Sequence, residues 1–445
     1  MGLTGGVWMA RVPAAKAQAH LSDGTLGLAL FAVPVGLVLG AGLAERLVDR
    51  LGSRIFVRVC GLGICVAVAL PGLARNLPEL MAALFVIGIV GGSFDVSTNA
   101  QGVRVEGAYG RPVMTSMHAC YSLGAILGAL AGGGFAWAGV ALLPSLVAVG
   151  ALGALLGGSV ARWLLPESRR PGSRPSAAVA PPALEPHAEP LTQPALAQPA
   201  LAPSTPAPSS RAAAKRVRRL VLALGLLGIC ALVCEGAAGD WSAVYLKDNL
   251  GTSAGFAAVG FAAFSGMMTL GRGLGDRLIH RYGVVQVIRV CGVTATAGIA
   301  AALATPVPAV AVVGFAAFGA GLSIVVPQVF AAGGRADPLR PGSGLAKVVG
   351  LGYAGMAAGP AVIGLIASRI GLRLALAILI ALAAWIVLAA GVLTPPGGAL
   401  DGALEPGTVT DDDSQAPVAH RASGGIPLPH GRSRDPGANQ QPDRD

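Results

Sequence analysis

Charge is what this sequence has least of. Asp, Glu, Lys and Arg together make up 12% of its 445 residues, about half the share usual in a soluble globular domain. Aromatic residues are also few, at 5%. The signatures of catalysis are missing too. There is no Gly-rich phosphate loop, no pair of histidines at metal-ligand spacing and no Ser/His/Asp arrangement on a polar segment, which points away from an enzyme, a cofactor or a metal. Six cysteines (Cys60, Cys65, Cys120, Cys230, Cys234, Cys291) all fall inside apolar stretches with no CxxC spacing. They read as small packed hydrophobes, not as a disulfide framework.

What is present is apolar. Hydrophobic residues reach 53% and the mean hydropathy is +0.67. Apolar runs of about 20 residues recur, each long enough to cross roughly 30 Å of hydrocarbon at 1.5 Å per residue. Eleven helices are predicted, at 25–44, 55–74, 79–103, 113–134, 141–165, 220–239, 254–274, 284–305, 307–331, 345–367 and 374–394. The opening "MGLTGGVWMA" adds about 15 Å of apolar helix before Arg11. It lacks the charged start of a signal peptide and reads as the outer end of a first helix that begins upstream of this sequence.

The basic residues sort by side. With the segment "ERLVDRLGSR" placed in the cytoplasm, the inner loops and their flanks hold 22 of the 32 Lys and Arg, and the outer loops hold 6. The positive-inside rule then fixes the orientation and removes nucleic acid as the reason for a net charge of +10. Residues 166–219 are Pro/Ala-rich and read as an extended cytoplasmic linker. The tail, 395–445, is polar and reads as disordered and cytoplasmic. The expected domains are therefore a membrane bundle at 1–165, the linker, a second bundle at 220–394 and the tail.

One phrase occurs twice. "GLAERLVDRLG" from Gly42 and "GLGDRLIHRYG" from Gly273 agree at six of eleven positions, 231 residues apart. Ser22 and Ser253 keep the same offset, and Trp8 and Trp241 nearly do. Such spacing predicts an all-α polytopic membrane protein of two pseudo-symmetric six-helix bundles, with the first helix truncated.

These residues resemble the major facilitator superfamily, whose loop between helices 2 and 3 carries a Gly, Asp, Arg, Gly and basic signature. "GGSFDVSTNAQ", "MTSMHACYSLG" and "CEGAAGDWSAVYL" are further similar to a bacterial branch related to fucose permease. The resemblance implies a secondary transporter of the bacterial inner membrane that moves a small polar, sugar-like solute by alternating access. It also implies a cytoplasmic latch at Asp49, Arg50, Gly52 and Arg54, echoed by Arg277, Arg281 and Gly283. His280 stands where the second acid would be, which implies either a weaker second latch or one that uses Asp276 instead. Matched to the family's acidic-x-x-x-Asn pattern, Asp95 becomes a proton carrier and Asn99 a substrate hydrogen-bonder, with Gln101 as an addition.

Other residues stand out on their own chemistry. Ionisable groups inside a span are costly and are functional candidates by default. Glu235 is a second titrating group or substrate acceptor. His118 enters the next helix at a depth similar to Asp95 and titrates near neutrality. Trp241 either stacks on substrate or belongs to the interfacial belt. The expected partners are a small-molecule substrate, protons and the lipid bilayer, and the chain is expected to be a monomer. A drug/proton exporter and a transport-inactive sensor or scaffold remain as alternatives.

Overall fold

The computed structural model describes residues 1–109, 114–165, 210–336 and 341–394. Most of the expected linker and the whole expected tail lie outside the described residues.

The repeated phrase has a repeated structure. Ser22 caps α2 (Asp23–Leu51), its Oγ accepting from the Thr25 amide at 3.3 Å. Ser253 caps α8 (Ala254–Tyr282), its Oγ accepting from the Phe256 amide at 3.2 Å. Each cap satisfies a donor that the first turn leaves unpaired. Both helices are 29 residues long, and both stop at a glycine of positive φ, Gly52 at 89° and Gly283 at 79°. With ψ of 143° and 150°, these residues sit in a region that essentially only glycine occupies. α3 (Ser53–Ala67) and α9 (Val284–Ala304) begin on the next residue.

The stretch 45–54 left between the expected helices is thus reduced to a one-residue break at Gly52. The charged phrase continues α2, because Glu, Arg and Leu are good helix formers and a lone glycine suffices to change direction.

The first half comprises α1 (Gly2–Gln18), α2, α3, α4 (Leu77–Tyr109), α5 (Met114–Trp137) and α6 (Leu142–Ala161). The second holds α7 (Ser210–Val244), which closes in a π-helical turn at Tyr245–Asn249, then α8 and α9. A bent span follows, α10 (Pro308–Leu322) and α11 (Val325–Arg335), and then α12 (Pro341–Ile370). The last span is α13 (Leu372–Leu376), α14 (Ile378–Ala389) and a 3₁₀ turn, Ala390–Leu393. Eleven helices among the described residues are long and apolar enough to cross a membrane. α1 joins them as the twelfth element of the bundle.

α1 runs past the expected stop at Arg11. The Arg11 side chain, 4% exposed, donates from Nη2 to the Val140 carbonyl at 2.7 Å, so the charge is accommodated inside the protein. α7 likewise begins ten residues ahead of the expected start.

Glycine stripes set the spacing of helices within each half. Gly36 and Gly40 of α2 meet the Phe85 and Ile89 carbonyls of α4. Gly124 and Gly128 of α5 meet Leu3 of α1, and Gly355 and Gly359 of α12 meet Ile229 and Val233 of α7. Main chain packs against main chain in the first two stripes, as small residues permit in membrane helices.

The surface is apolar. Trp137 is 85% exposed and Leu388 77%, the inverse of a soluble protein and what a lipid-facing belt requires. Inside, Tyr245 donates to the Ala302 carbonyl at 3.2 Å and meets Phe315 edge-on, with ring centroids 6.4 Å apart.

Candidate functional site

The two halves meet along α2 with α12 and α5 with α8. Their close approaches lie at the end of the bundle that carries Ser22 and Ser253, here termed the serine end. A Cβ on Gly27 would stand 2.5 Å from the Pro360 carbonyl and 2.9 Å from Gly364 Cα. A Cβ on Gly133 would stand 2.9 Å from that of Ala258, and one on Gly255 2.7 Å from that of Trp137. Ions add to the contact. Lys16, at the end of α1, donates at 2.6 Å to Asp23 of its own half and at 2.6 Å to Asp248 of the other.

Behind this seal lies a cavity of about 460 Å³, walled by helices of both halves. α8 contributes one helical face to it: Phe261, Phe264, Ser265, Met268, Thr269 and Arg272. The spacing of three and four residues is that of a single stripe. It runs from aromatic near the serine end to cationic toward the glycine end, where Gly52 and Gly283 lie.

Arg272 is the charged terminus of that stripe. Its Nη2 donates to Glu235 Oε1 at 3.1 Å and its Nε to the Ser323 carbonyl at 3.2 Å. Ser323 lies in the break between α10 and α11, where no further turn of helix takes its carbonyl. Gly271 and Gly275 let α8 approach that break, since a Cβ on Gly275 would stand 2.5 Å from Ile324 Cγ2. The sequence placed Arg272 near the end of an expected helix and counted it with the basic flank of an inner loop. It belongs to the cavity instead, because Glu235 neutralises it and a freed carbonyl anchors it.

Tyr121 of α5 and Tyr353 of α12 also line the cavity, and both lie within the fields of Asp95 and Glu235. Glu235, on α7, lines the cavity, whereas Asp95, on α4, is not among the lining residues. Asp95 is exposed and has a partner of its own. Asp240, a turn beyond Glu235, is a second acid on the lining.

The other expected residues go elsewhere. Asn99 is half-buried on α4 and Gln101 is 3% exposed, and neither lines the cavity. Gln101 donates to Ser53 Oγ at 3.1 Å and to the Leu165 carbonyl at 3.2 Å, tying α4 to α3 and to the residues after α6. Trp241 is fully buried, its Nε1 without a partner, and also away from the cavity. Its repeat counterpart Trp8 does line the cavity. His118 falls within α5, with its side chain outside the described residues.

The latch residues cluster at the glycine end. The side chains of Asp49 and Arg50 lie outside the described residues. Arg54 donates to the Arg162 carbonyl at 3.3 Å. Asp276, Arg277 and Arg281 are exposed, with Arg281 over the Tyr282 ring at 5.3 Å. Arg272, Asp240, Tyr121, Tyr353 and Trp8 were not singled out from sequence. Of these, only Trp8 carried a signal, its near-231 offset from Trp241.

A two-half bundle around a shared cavity is a transporter architecture, and the family model for the Major Facilitator Superfamily matches residues 2–341. The chain belongs to the Major Facilitator Superfamily. Among superfamily relatives, an uncharacterised transporter of Sinorhizobium fredii is 32% identical over 393 residues, covering 88% of this chain and 95% of its own. An uncharacterised MFS-type transporter of Yersinia pestis is 32% identical over 375 residues, covering 84% and 88%. Among solved structures, the nucleoside transporter NupG is similar with a TM-score of 0.62 at 12% identity, covering 88% of this chain and 96% of its own. A D-xylose–proton symporter is similar with a TM-score of 0.60 at 13% identity, covering 88% and 95%. At that identity the solved structures establish the fold alone. The superfamily chain described here is thus a multi-pass membrane transporter.

Proposed function

We propose that the protein is a proton-coupled secondary transporter of the bacterial inner membrane that moves a small polar solute by alternating access. The observation that carries this reading is the cavity between the halves, which holds the Glu235–Arg272 pair and is sealed at the serine end. The excess of basic residues around the glycine end assigns that end to the cytoplasm, so the conformation is the one closed to the outside. Residues 1–165 and 220–394 act as the two rocking bundles of a monomer, with 166–219 as a cytoplasmic tether and 395–445 as a cytoplasmic tail. Asp95 and Glu235 take up and release the coupling proton, with His118 as a relay near Asp95. Asp49, Arg50, Gly52 and Arg54, together with Asp276, Arg277, Arg281 and Gly283, form the latch of the alternate state.

Each unit of pH difference across the membrane supplies about 1.4 kcal/mol per proton, enough to drive such a cycle. The test is Asp95→Asn and Glu235→Gln in reconstituted vesicles. Each should abolish uptake driven by a proton gradient while solute exchange survives; uptake unchanged in both variants would remove the coupling role.

One observation favours the exporter alternative. Phe261, Phe264, Met268 and Met356 make much of the cavity wall apolar, which suits an amphiphile better than a sugar. Extrusion of amphiphilic dyes from whole cells, lost in Glu235→Gln, would select that direction of transport.

A further inference from the structure

From the arrangement of the cavity we infer that the substrate is an amphiphilic monoanion, an organic acid with an apolar body. Its acid group binds Arg272 in exchange for Glu235. The inference rests on the transporter reading above and specifies the substrate class of the same site.

The first observation is the cation itself. A guanidinium has five N–H donors. Arg272 spends one on Glu235 and one on the Ser323 carbonyl, so three remain on the cavity lining. A planar fork of this kind matches a carboxylate bidentately. The hydrogen bond to Ser323 fixes the fork independently of Glu235, so Arg272 keeps its place when the acid lets go.

The second observation is the stripe along α8. From Arg272 to Phe261 is eleven residues, about 16 Å of helix. From Arg272 the lining runs through Thr269, Met268, Ser265, Phe264 and Phe261, so the two aromatic rings lie furthest from the cation. Trp8, Met9 and Met356 face the same apolar part from α1 and α12. A solute with an acid head and an aromatic or aliphatic body satisfies both ends of the stripe. A sugar would leave the apolar end unmatched, and a wholly apolar drug would leave Arg272 to Glu235.

The third observation is the one-to-one pairing. In the empty site Glu235 and Arg272 carry charges that cancel. When a proton from water binds the Glu235 carboxylate, its negative charge is lost and the arginine needs a new anion. The incoming acid supplies it, and the charges cancel again. Empty and loaded carriers thus cross with the same net charge at this pair, and each cycle moves one proton with one monoanion. Transport through this site is electroneutral and follows the pH gradient rather than the membrane potential.

The titratable groups facing the pair enter the same account. They are Tyr121 on α5, Tyr353 on α12, Asp240 on α7 itself and the Met1 amino group, all on the cavity lining. Asp95 on α4 stands outside that lining and acts through its field on the two tyrosines. The His118 side chain lies outside the described residues. Among the described side chains that line the cavity, Arg272 is the only basic one.

The experiment uses the full-length protein in detergent and in proteoliposomes. Probes are benzoate, phenylacetate and octanoate, each beside its amide, read by quenching of tryptophan fluorescence at pH 6. At least one acid should bind, its amide at least tenfold more weakly, and Arg272→Gln should lose that preference. Glu235→Gln keeps the neutral form of the acid, so it should bind the anion with an affinity that no longer falls between pH 6 and pH 8. In proteoliposomes, acid uptake should follow a pH gradient and ignore a potassium-diffusion potential. Equal binding of acids and amides, or no acid bound at all, overturns the inference, even if proton-driven uptake of a neutral sugar persists. A Glu235→Gln protein whose acid binding keeps its full pH dependence also overturns it, whether or not Arg272→Gln folds. Acid binding that passes these tests without any flux would refute the carrier reading and leave the site assignment standing.

Discussion

Lys16 of the first half and Asp248 of the second lie 2.6 Å apart, although 232 residues separate them in the chain. Asp23 holds the same ammonium from the other side. Together they form an ionic clasp over the serine end of the cavity. The Lys16 side chain is 14% exposed and that of Asp248 36%, so the clasp is partly withdrawn from water and less screened than a surface pair.

Lys16→Met should weaken closure at that end. A contribution of about 1 kcal/mol corresponds to a roughly fivefold change in the ratio of closed to open forms. A cysteine at Thr269 should react several-fold faster with a membrane-impermeant maleimide added from the serine end. Unchanged reactivity would show that glycine packing alone makes the seal.

Gly27 is where that packing is tightest between the halves. A side chain there meets the Pro360 carbonyl and Gly364 Cα, which are main-chain atoms with little freedom to yield. Gly27→Leu should therefore hold the serine end apart and reduce transport at least tenfold. Gly266→Ala on α8, which meets nothing within 4 Å, serves as the matched control and should transport normally.

Gly283 is a conformational requirement without a steric one. Its φ is +79°, and an added Cβ would find open space. Gly283→Ala should cost about 1–3 kcal/mol of backbone strain, seen as a lower midpoint of thermal unfolding in detergent. Gly52, at φ +89° in the equivalent position, should lose a similar amount. A variant as stable as the parent would contradict the assigned backbone geometry.

The two tryptophans of the repeat should part company. Trp241 is fully buried and leaves its Nε1 unbonded. Trp241→Phe removes that unsatisfied donor while shrinking the side chain, so the net change in stability should stay under about 1.5 kcal/mol with KM unaffected. Trp8 lines the cavity, and Trp8→Ala should raise KM. Equal effects on KM from both would return Trp241 to the binding site.

The duplicated architecture was legible in the sequence because it rests on local chemistry. Serine caps and glycine turns act within a few residues, so a fixed offset between Ser22 and Ser253, or Gly52 and Gly283, exposes the copy. Asp95 and Glu235 were legible for a related reason: an acid in an apolar run has few other uses. Arg272 was not, because the basic residues that follow it grouped it with the charged flank of an inner loop. Its partners, Glu235 and the Ser323 carbonyl, stand 37 and 51 residues away. Lys16 was one of the six basic residues counted in the outer loops, since only its pairing across the halves reveals a role. Gln101 shows the opposite error. Its neighbours in sequence suggested substrate, whereas its hydrogen bonds stitch three helix ends together.

The anchor of Arg272 on the main chain has an evolutionary corollary. An acceptor provided by the polypeptide backbone survives every replacement of the side chain that bears it. Position 323 can drift among residues small enough to clear Gly271 without releasing the guanidinium. Selection is left free to remodel the apolar end of the stripe, and with it the shape of the cargo, while the charged end stays where it is.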